Sequence, residues 1–220
     1  MAAFDIKICG LSEPGSVDVA VAGEATHLGF VFFEMSPRNV SPEKAAALSA
    51  RAAGKAVSVA VTVDADDAVL DRIVTVMKPG MLQLHGTESP ERATYLKCRY
   101  NLPVMKAFAI STREDLRTIR PWLGKADRFL FDAKPPRGSQ MPGGNGLPFD
   151  WSLLEMLDPG IPYMLSGGIN VDNAGQALRA SRACGLDVSS GVESSRGVKD
   201  DRLIAEFLTE VKQLTRSMTV

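Results

Sequence analysis

Eight times along this chain a short apolar run gives way to an amphipathic or alanine-rich stretch, and that alternation restricts the fold more than any other feature. The runs at about 4–9, 27–33, 56–63, 80–84, 103–109, 127–132, 162–166 and 185–189 have the length and composition of buried strands. The stretches that follow, at about 14–23, 41–53, 66–77, 89–99, 112–122, 150–157, 171–182 and 200–216, have helical spacing. Several open on a helix-start signal with serine as the expected N-cap: Ser41-Pro42-Glu43, Ser89-Pro90-Glu91 and Ser111-Thr112-Arg113-Glu114. Repeated strand–helix units build a parallel sheet, either open and doubly wound or closed into a barrel. The first strand is not followed by G-x-G-x-x-G, which disfavours a dinucleotide-binding open sheet. The expected fold is therefore a single-domain (β/α)8 TIM barrel spanning residues 1–220, compact beside the roughly 250 residues typical of that architecture. One long segment rich in glycine and proline, about 133–148, separates the sixth strand from the sixth helix, and a loop of that length usually covers a site.

Polar side chains fall at the ends of these strands. Cys9 closes Phe4-Asp5-Ile6-Lys7-Ile8-Cys9 and is followed at once by Gly10; Gln83 and His85, Asp132, and Asp187 and Ser189 occupy equivalent places. Alternate strand residues face the same side of a sheet, so Lys7 shares a face with Cys9, Gln83 with His85, Leu130 with Asp132 and Asp187 with Ser189. In a closed barrel the lumen-facing residues at the carboxyl ends of strands one, four, six and eight border a common mouth. Gly167 and Gly168 before the seventh helix, and Ser189, Ser190 and Gly191 before the eighth, offer backbone amides that can converge on a phosphate. The alternative for these glycines is that they only permit tight turns.

Composition removes several classes of function. The 25 basic and 26 acidic residues give a net charge of −1 and are spread along the chain, so no footprint for nucleic acid or an anionic membrane is expected. Three cysteines, at 9, 98 and 184, are odd in number and widely spaced, which argues against a disulfide framework and suits a reducing, cytoplasmic setting. No apolar run approaches the ~20 residues of a membrane span, and the opening Met1-Ala2-Ala3-Phe4-Asp5 lacks the order of a signal peptide. Cys9, His85 and Asp132 lack the close spacing of metal-ligand motifs, and no metal is expected.

Taken together, Lys7-Ile8-Cys9-Gly10-Leu11, Gly29-Phe30-Val31-Phe32, Ser36-Pro37-Arg38, Gln83-Leu84-His85-Gly86, Asp132-Ala133-Lys134, Phe149-Asp150-Trp151, Ser166-Gly167-Gly168 and Asp187-Val188-Ser189-Ser190-Gly191-Val192-Glu193 resemble phosphoribosylanthranilate isomerase. The resemblance runs from the first strand to the eighth helix. It implies a cofactor-free (β/α)8 enzyme of tryptophan biosynthesis that performs an Amadori rearrangement of N-(5-phosphoribosyl)anthranilate to 1-(2-carboxyphenylamino)-1-deoxyribulose 5-phosphate. That reaction needs an acid at the ribose ring oxygen and a base at C2, and the resemblance assigns Cys9 as base and Asp132 as acid. Both must leave their reference pKa values of about 8.5 and 3.9, the thiol downward and the carboxyl upward. Lys7, about 7 Å below Cys9 by strand rise, supplies a cation for the first shift, and burial supplies the second.

The remaining candidates bind substrate. Arg38 is expected to pair its planar fork with the anthranilate carboxylate. Gln83 and His85 are expected to line the pocket, not to take part in catalysis. Asp187 either orients substrate hydroxyl or amine groups or pairs with Lys7, and both roles stay open at this point.

The chain departs from the family at two places. Gly143-Gly144-Asn145-Gly146-Leu147-Pro148 stands where the family commonly carries Gly-Gly-Thr-Gly-Lys-Thr, and the third strand ends Val61-Thr62-Val63-Asp64 where an aromatic and an asparagine are more usual. The first departure puts a loop contribution to phosphate binding in doubt. The rival readings are the histidine-pathway isomerase, which carries aspartate where this chain has Cys9, a metal-dependent pentose-phosphate epimerase, which two histidines hardly supply, and a non-catalytic phosphosugar-binding barrel. The expected partner is a small phosphosugar, with the protein acting as a monomer or homodimer.

Overall fold

The computed structural model describes residues 4–134, 149–158 and 160–217. Eight parallel strands close into a barrel in sequence order: β1 (Asp5–Cys9), β2 (His27–Phe32), β3 (Val57–Thr62), β4 (Met81–Leu84), β5 (Val104–Ile110), β6 (Arg128–Ala133), β7 (Tyr163–Leu165) and β8 (Gly185–Val188). Closure is made by β8 against β1, with Lys7 opposite Asp187 and Ile8 opposite Val188. Each strand falls within two residues of the range expected from the sequence, because a strand buried on both faces reads as one continuous apolar run.

Side-chain alternation divides the core in two. Ile6, Ile8, Leu28, Phe30, Leu82, Leu84, Phe129 and Phe131 point outward and pack beneath the helices. Cys9, Val59, Val61, Met81, Met105, Ala107, Leu130 and Met164 fill the barrel interior, together with the buried polar residues Lys7, Gln83, Asp132 and Asp187. A barrel of this size is a packed core, so polar groups inside it need partners.

Four regular helices, α1 (Pro14–Ala22), α2 (Pro42–Ala50), α3 (Asp67–Met77) and α4 (Pro90–Tyr100), cover β1 to β4. Ser41 and Ser89 cap α2 and α4 as expected, accepting the amides of Lys44 and Arg92, and Asp66 caps α3 by accepting that of Val69. Beyond β5 the pattern loosens. The helix expected over 112–122 is a 3₁₀ segment, Asp115–Trp122, and Ser111 does not cap it. Instead the Asp115 carboxylate accepts the amides of Ser111 and Thr112, while Pro121 removes a donor an α-helix would use. The next connection is also 3₁₀, Trp151–Met156. α5 is confined to Ala174–Ala180 because Asn170 and Asn173 bond each other's backbone and hold 170–173 out of the helix. α6 (Asp201–Ser217) ends the described fold, and no helix among the described residues is long and apolar enough to cross a membrane. A small antiparallel pair, β9 (Glu193–Ser195) and β10 (Val198–Lys199), lies between β8 and α6 where a short turn was expected. The loop expected at 133–148 lies, after Lys134, outside the described residues, and with it the Asn145-Gly146-Leu147-Pro148 departure.

Candidate active site

The carboxyl ends of the strands enclose a cleft of about 660 Å³, partly open to solvent. Cys9 from β1, His85 after β4, Asp132 from β6 and Asp187 from β8 all line it, as does Arg38 from the loop after β2. Gly167, Gly168, Ser189 and Ser190 line one side, and Val31, Phe33, Val61 and Val63 form an apolar wall. Two of the expected residues do not line it. Gly191 packs behind, against Ile169, whose carbonyl oxygen stands where a Cβ would go. Gln83 is fully buried one layer below the mouth, because two residues along a strand is one step down the barrel.

Beneath Cys9 lies a desolvated ion pair. Lys7 Nζ donates to Asp187 Oδ1 at 2.7 Å, and Ser166 Oγ donates to Oδ2 of the same carboxylate at 3.0 Å. Of the two roles left open for Asp187, pairing with Lys7 is present in the structure, although the carboxylate still borders the cleft. Gly29 makes room for this arrangement: a Cβ there would sit 3.0 Å from Cys9 Sγ and 3.2 Å from Lys7 Cε. Burial would lower the Lys7 pKa, but the charges on Asp187 and Cys9 outweigh it and the net direction is up. Cys9 moves opposite to the sequence expectation. Burial pushes the thiol up and prevails over Lys7, which pulls it down; Asp187 adds to the rise, and Lys199 opposes it more weakly.

At the rim, Arg38 is occupied by protein. Its Nε and Nη2 donate to the two oxygens of Glu193 at 2.7 and 2.9 Å, so the fork reserved for a substrate carboxylate already holds one. Lys199 Nζ donates to the same Glu193 at 2.8 Å and to the Ser189 carbonyl at 2.8 Å, and Ser189 Oγ donates to the Cys9 carbonyl at 3.1 Å. Burial works against the Glu193 carboxylate, yet Arg38 and Lys199 together hold it down at about 2. Burial of Lys199 lowers that ammonium, and Glu193 only partly compensates. Sequence reasoning missed the part played by Glu193 and Lys199, and the only local signal was that Glu193 stands in the motif after β8.

Asp132 is 4% exposed. Its Oδ1 accepts the Ala133 amide at 2.8 Å, and its Oδ2 lies 3.3 Å from His85 Nε2. His85 Nδ1 lies 3.1 Å from Gln83 Nε2. Gly167 is required behind this group, since at φ +85° a Cβ would meet the Ala133 nitrogen at 2.5 Å and Asp132 Oδ1 at 3.1 Å. Among the described residues no group of three or more His, Cys, Asp or Glu is arranged to hold a metal ion.

A closed (β/α)8 barrel with a thiol, a carboxyl and an imidazole facing glycine- and serine-rich loops defines the class of TIM-barrel proteins whose site opens at the carboxyl ends of the strands. The sequence profile described as N-(5'phosphoribosyl)anthranilate (PRA) isomerase matches residues 6–210. An N-(5'-phosphoribosyl)anthranilate isomerase of Brucella canis is 60% identical over 209 residues, covering 95% of this chain and 94% of the relative. Among solved structures, a phosphoribosyl anthranilate isomerase from Thermotoga maritima superposes with a TM-score of 0.84 at 32% identity, covering 96% of this chain and 99% of the other. Another, in complex with reduced 1-(o-carboxyphenylamino)-1-deoxyribulose 5-phosphate, gives a TM-score of 0.82 at 29% identity with the same coverage. The chain belongs to the N-(5'-phosphoribosyl)anthranilate isomerase family.

Proposed function

We propose that this protein carries out the isomerisation of its family, converting N-(5'-phosphoribosyl)anthranilate to 1-(2-carboxyphenylamino)-1-deoxyribulose 5-phosphate in tryptophan biosynthesis, with Cys9 as base and Asp132 as acid. The observation that carries the reading is that these two groups, 123 positions apart in sequence, reach one cleft from β1 and β6. Asp132 protonates the ribose ring oxygen as the bond from C1 breaks, giving an iminium. Cys9 then removes the proton from C2, and the resulting enolamine tautomerises to the ketone. The thiolate this requires forms against its burial, with Lys7 and Lys199 as the cations that favour it.

Gly167, Gly168, Ser189 and Ser190 hold the phosphate through their backbone in this reading, and Gly191 keeps the second loop in place. The anthranilate ring lies on the Val31, Phe33, Val61 and Val63 wall, and Arg38 meets its carboxylate with the edge that Glu193 leaves free. Asp187 and His85 face the sugar. Gln83 acts from below the mouth. The reading takes residues 1–220 as one domain, no cofactor as necessary, the cytoplasm as the setting, and a monomer or homodimer as the working form.

The test is to generate the substrate in situ and follow loss of its fluorescence on adding purified protein in the presence of a chelator. Rapid loss is expected, with Cys9→Ala and Asp132→Ala each slowing turnover by ~10²–10⁴-fold. Folded wild-type protein that leaves the fluorescence unchanged would overturn the reading, and turnover of the histidine-pathway substrate instead would replace it.

A further inference from the structure

Behind Asp132 stands a line of polar groups that the acid/base pair by itself does not use. Gln83 is wholly buried, its Nε2 is 3.1 Å from His85 Nδ1, and its Oε1 has no hydrogen-bond partner. His85 Nε2 in turn stands 3.3 Å from Asp132 Oδ2, within ion-pair distance. An unpaired buried carbonyl is unfavourable, and this one belongs to the amide that holds the imidazole. A half-turn of that amide exchanges the nitrogen for the oxygen. The amide therefore serves either form of the ring, donating to a neutral Nδ1 through Nε2 and accepting from a protonated Nδ1 through Oε1.

We propose that Gln83 and His85 are positioning residues that form a proton relay behind Asp132, holding one exchangeable proton jointly with it. The inference rests on Asp132 being the acid of the reaction. When the ring carries both protons, Nδ1–H is accepted by Gln83 Oε1 and Nε2–H points at Asp132 Oδ2. Transfer of the Nε2 proton to Asp132 gives the carboxylic acid and a neutral imidazole that keeps its Nδ1 proton. Asp132 then passes its proton to the sugar ring oxygen as the C1–oxygen bond breaks. Cys9 gains from C2 the proton that the relay has lost, so the enzyme's proton count is unchanged at the enolamine. The other charged or titratable groups bordering the cleft with His85 are Cys9 from β1, Arg38 from the loop after β2 and Asp187 from β8. Arg38 and Asp187 already have protein partners. Beside His85 the loop after β4 brings Glu88, and β5 brings Lys106, paired with each other at 2.7 Å; Asp64, after β3, accepts the Thr87 amide. Each of these has its own partner outside the line from Gln83 to Asp132.

The experiment compares wild type with Gln83→Leu, which removes both polar atoms of the amide, and Gln83→Glu, which keeps only an acceptor for Nδ1–H. Nitrogen-15 NMR reads the ring of His85, one of two histidines in the chain, with His27 assigned by its own substitution. Wild type is expected to show neutral His85 with its proton on Nε2, and Gln83→Leu a mixture of tautomers. In turnover, Gln83→Leu should lower kcat by about 10-fold or more with KM within ~3-fold, and move the alkaline limb of the kcat profile to lower pH. Gln83→Glu should move that limb to higher pH, since a carboxylate favours the doubly protonated ring. A wild-type ring whose neutral tautomers are already mixed, or a Gln83→Leu loss confined to KM, would overturn the relay. Absence of turnover in wild type would instead overturn the isomerase reading, and the NMR comparison would still decide whether Gln83 sets the His85 tautomer.

Discussion

Two clusters of buried charge flank Cys9, and they are built differently. Below it, inside the barrel, Lys7 faces Asp187 one to one, with the Ser166 hydroxyl completing the carboxylate's partners. At the rim, Arg38 and Lys199 share the single carboxylate of Glu193. The interior pair is balanced, and with Lys7 wholly buried an unmatched ammonium there would have no counter-ion. The rim cluster keeps one positive charge in surplus, buried behind the Ser189 loop whose carbonyl Lys199 holds, while Arg38 lines the cleft. Both clusters act on the Cys9 thiol, against a larger upward effect of burial: Lys7 and Lys199 pull it down and Asp187 pushes it up. The number of cations per carboxylate, more than any single distance, separates the two clusters.

The balance of the inner pair can be broken from one side. Lys7→Met leaves Asp187 buried and unpaired, and should cost about 3–5 kcal/mol of stability in urea denaturation. Lys7→Met combined with Asp187→Leu should recover most of that, because two apolar groups of similar volume need no partner. A double variant no more stable than the single one would mean that the pair contributes through its shape and not its charge.

The rim cluster should respond to acid. Glu193 has its folded pKa at about 2 against an ordinary 4.5, so its contribution is present above about 4.5 and is lost as the pH falls through the folded value. The difference, 4.5 minus 2, corresponds to roughly 3 kcal/mol at neutral pH. Glu193→Gln is therefore expected to lose about that much stability at pH 7 and to converge with wild type near pH 2. Parallel stability curves down to that pH would show that Arg38 and Lys199 find other partners.

The contrast between the clusters also marks how far the sequence could be read. Parity along β1, β4, β6 and β8 correctly sent Lys7, Gln83, Asp132 and Asp187 inward, since a strand has only two faces. It did not give depth, so Gln83 was expected in the pocket when it lies beneath. Lys7 and Asp187 become neighbours only because β8 closes on β1 in a register that sets them side by side. Arg38 and Glu193 are 155 positions apart and meet through a β9–β10 pair too short to show any apolar alternation. The starts of α2 and α4 were legible from their serine–proline pairs. The 3₁₀ segment at Asp115–Trp122 was not, because one carboxylate capturing two amides competes with a helix without altering hydrophobic spacing.

The smallest expected effect separates the clusters most finely, because it reads their influence on a single atom. Cys9 is buried and its thiol is pushed up, with Lys7 as the stronger downward pull and Lys199 a weaker one, while Asp187 acts upward. Alkylation by iodoacetamide, followed by mass spectrometry with the exposed Cys98 as an internal reference, should show Cys9 reacting only as the pH rises past the usual thiol range. Lys7→Met should move the profile further up, Lys199→Met slightly up, and Asp187→Asn down. If Lys7→Met left the profile where it was, Asp187 would be cancelling its charge completely, and the rim surplus would be the principal electrostatic support for a thiolate. A larger shift from Lys199→Met than from Lys7→Met would carry the same meaning in stronger form: the cluster suited to drawing in an anion would also be the one that prepares the base.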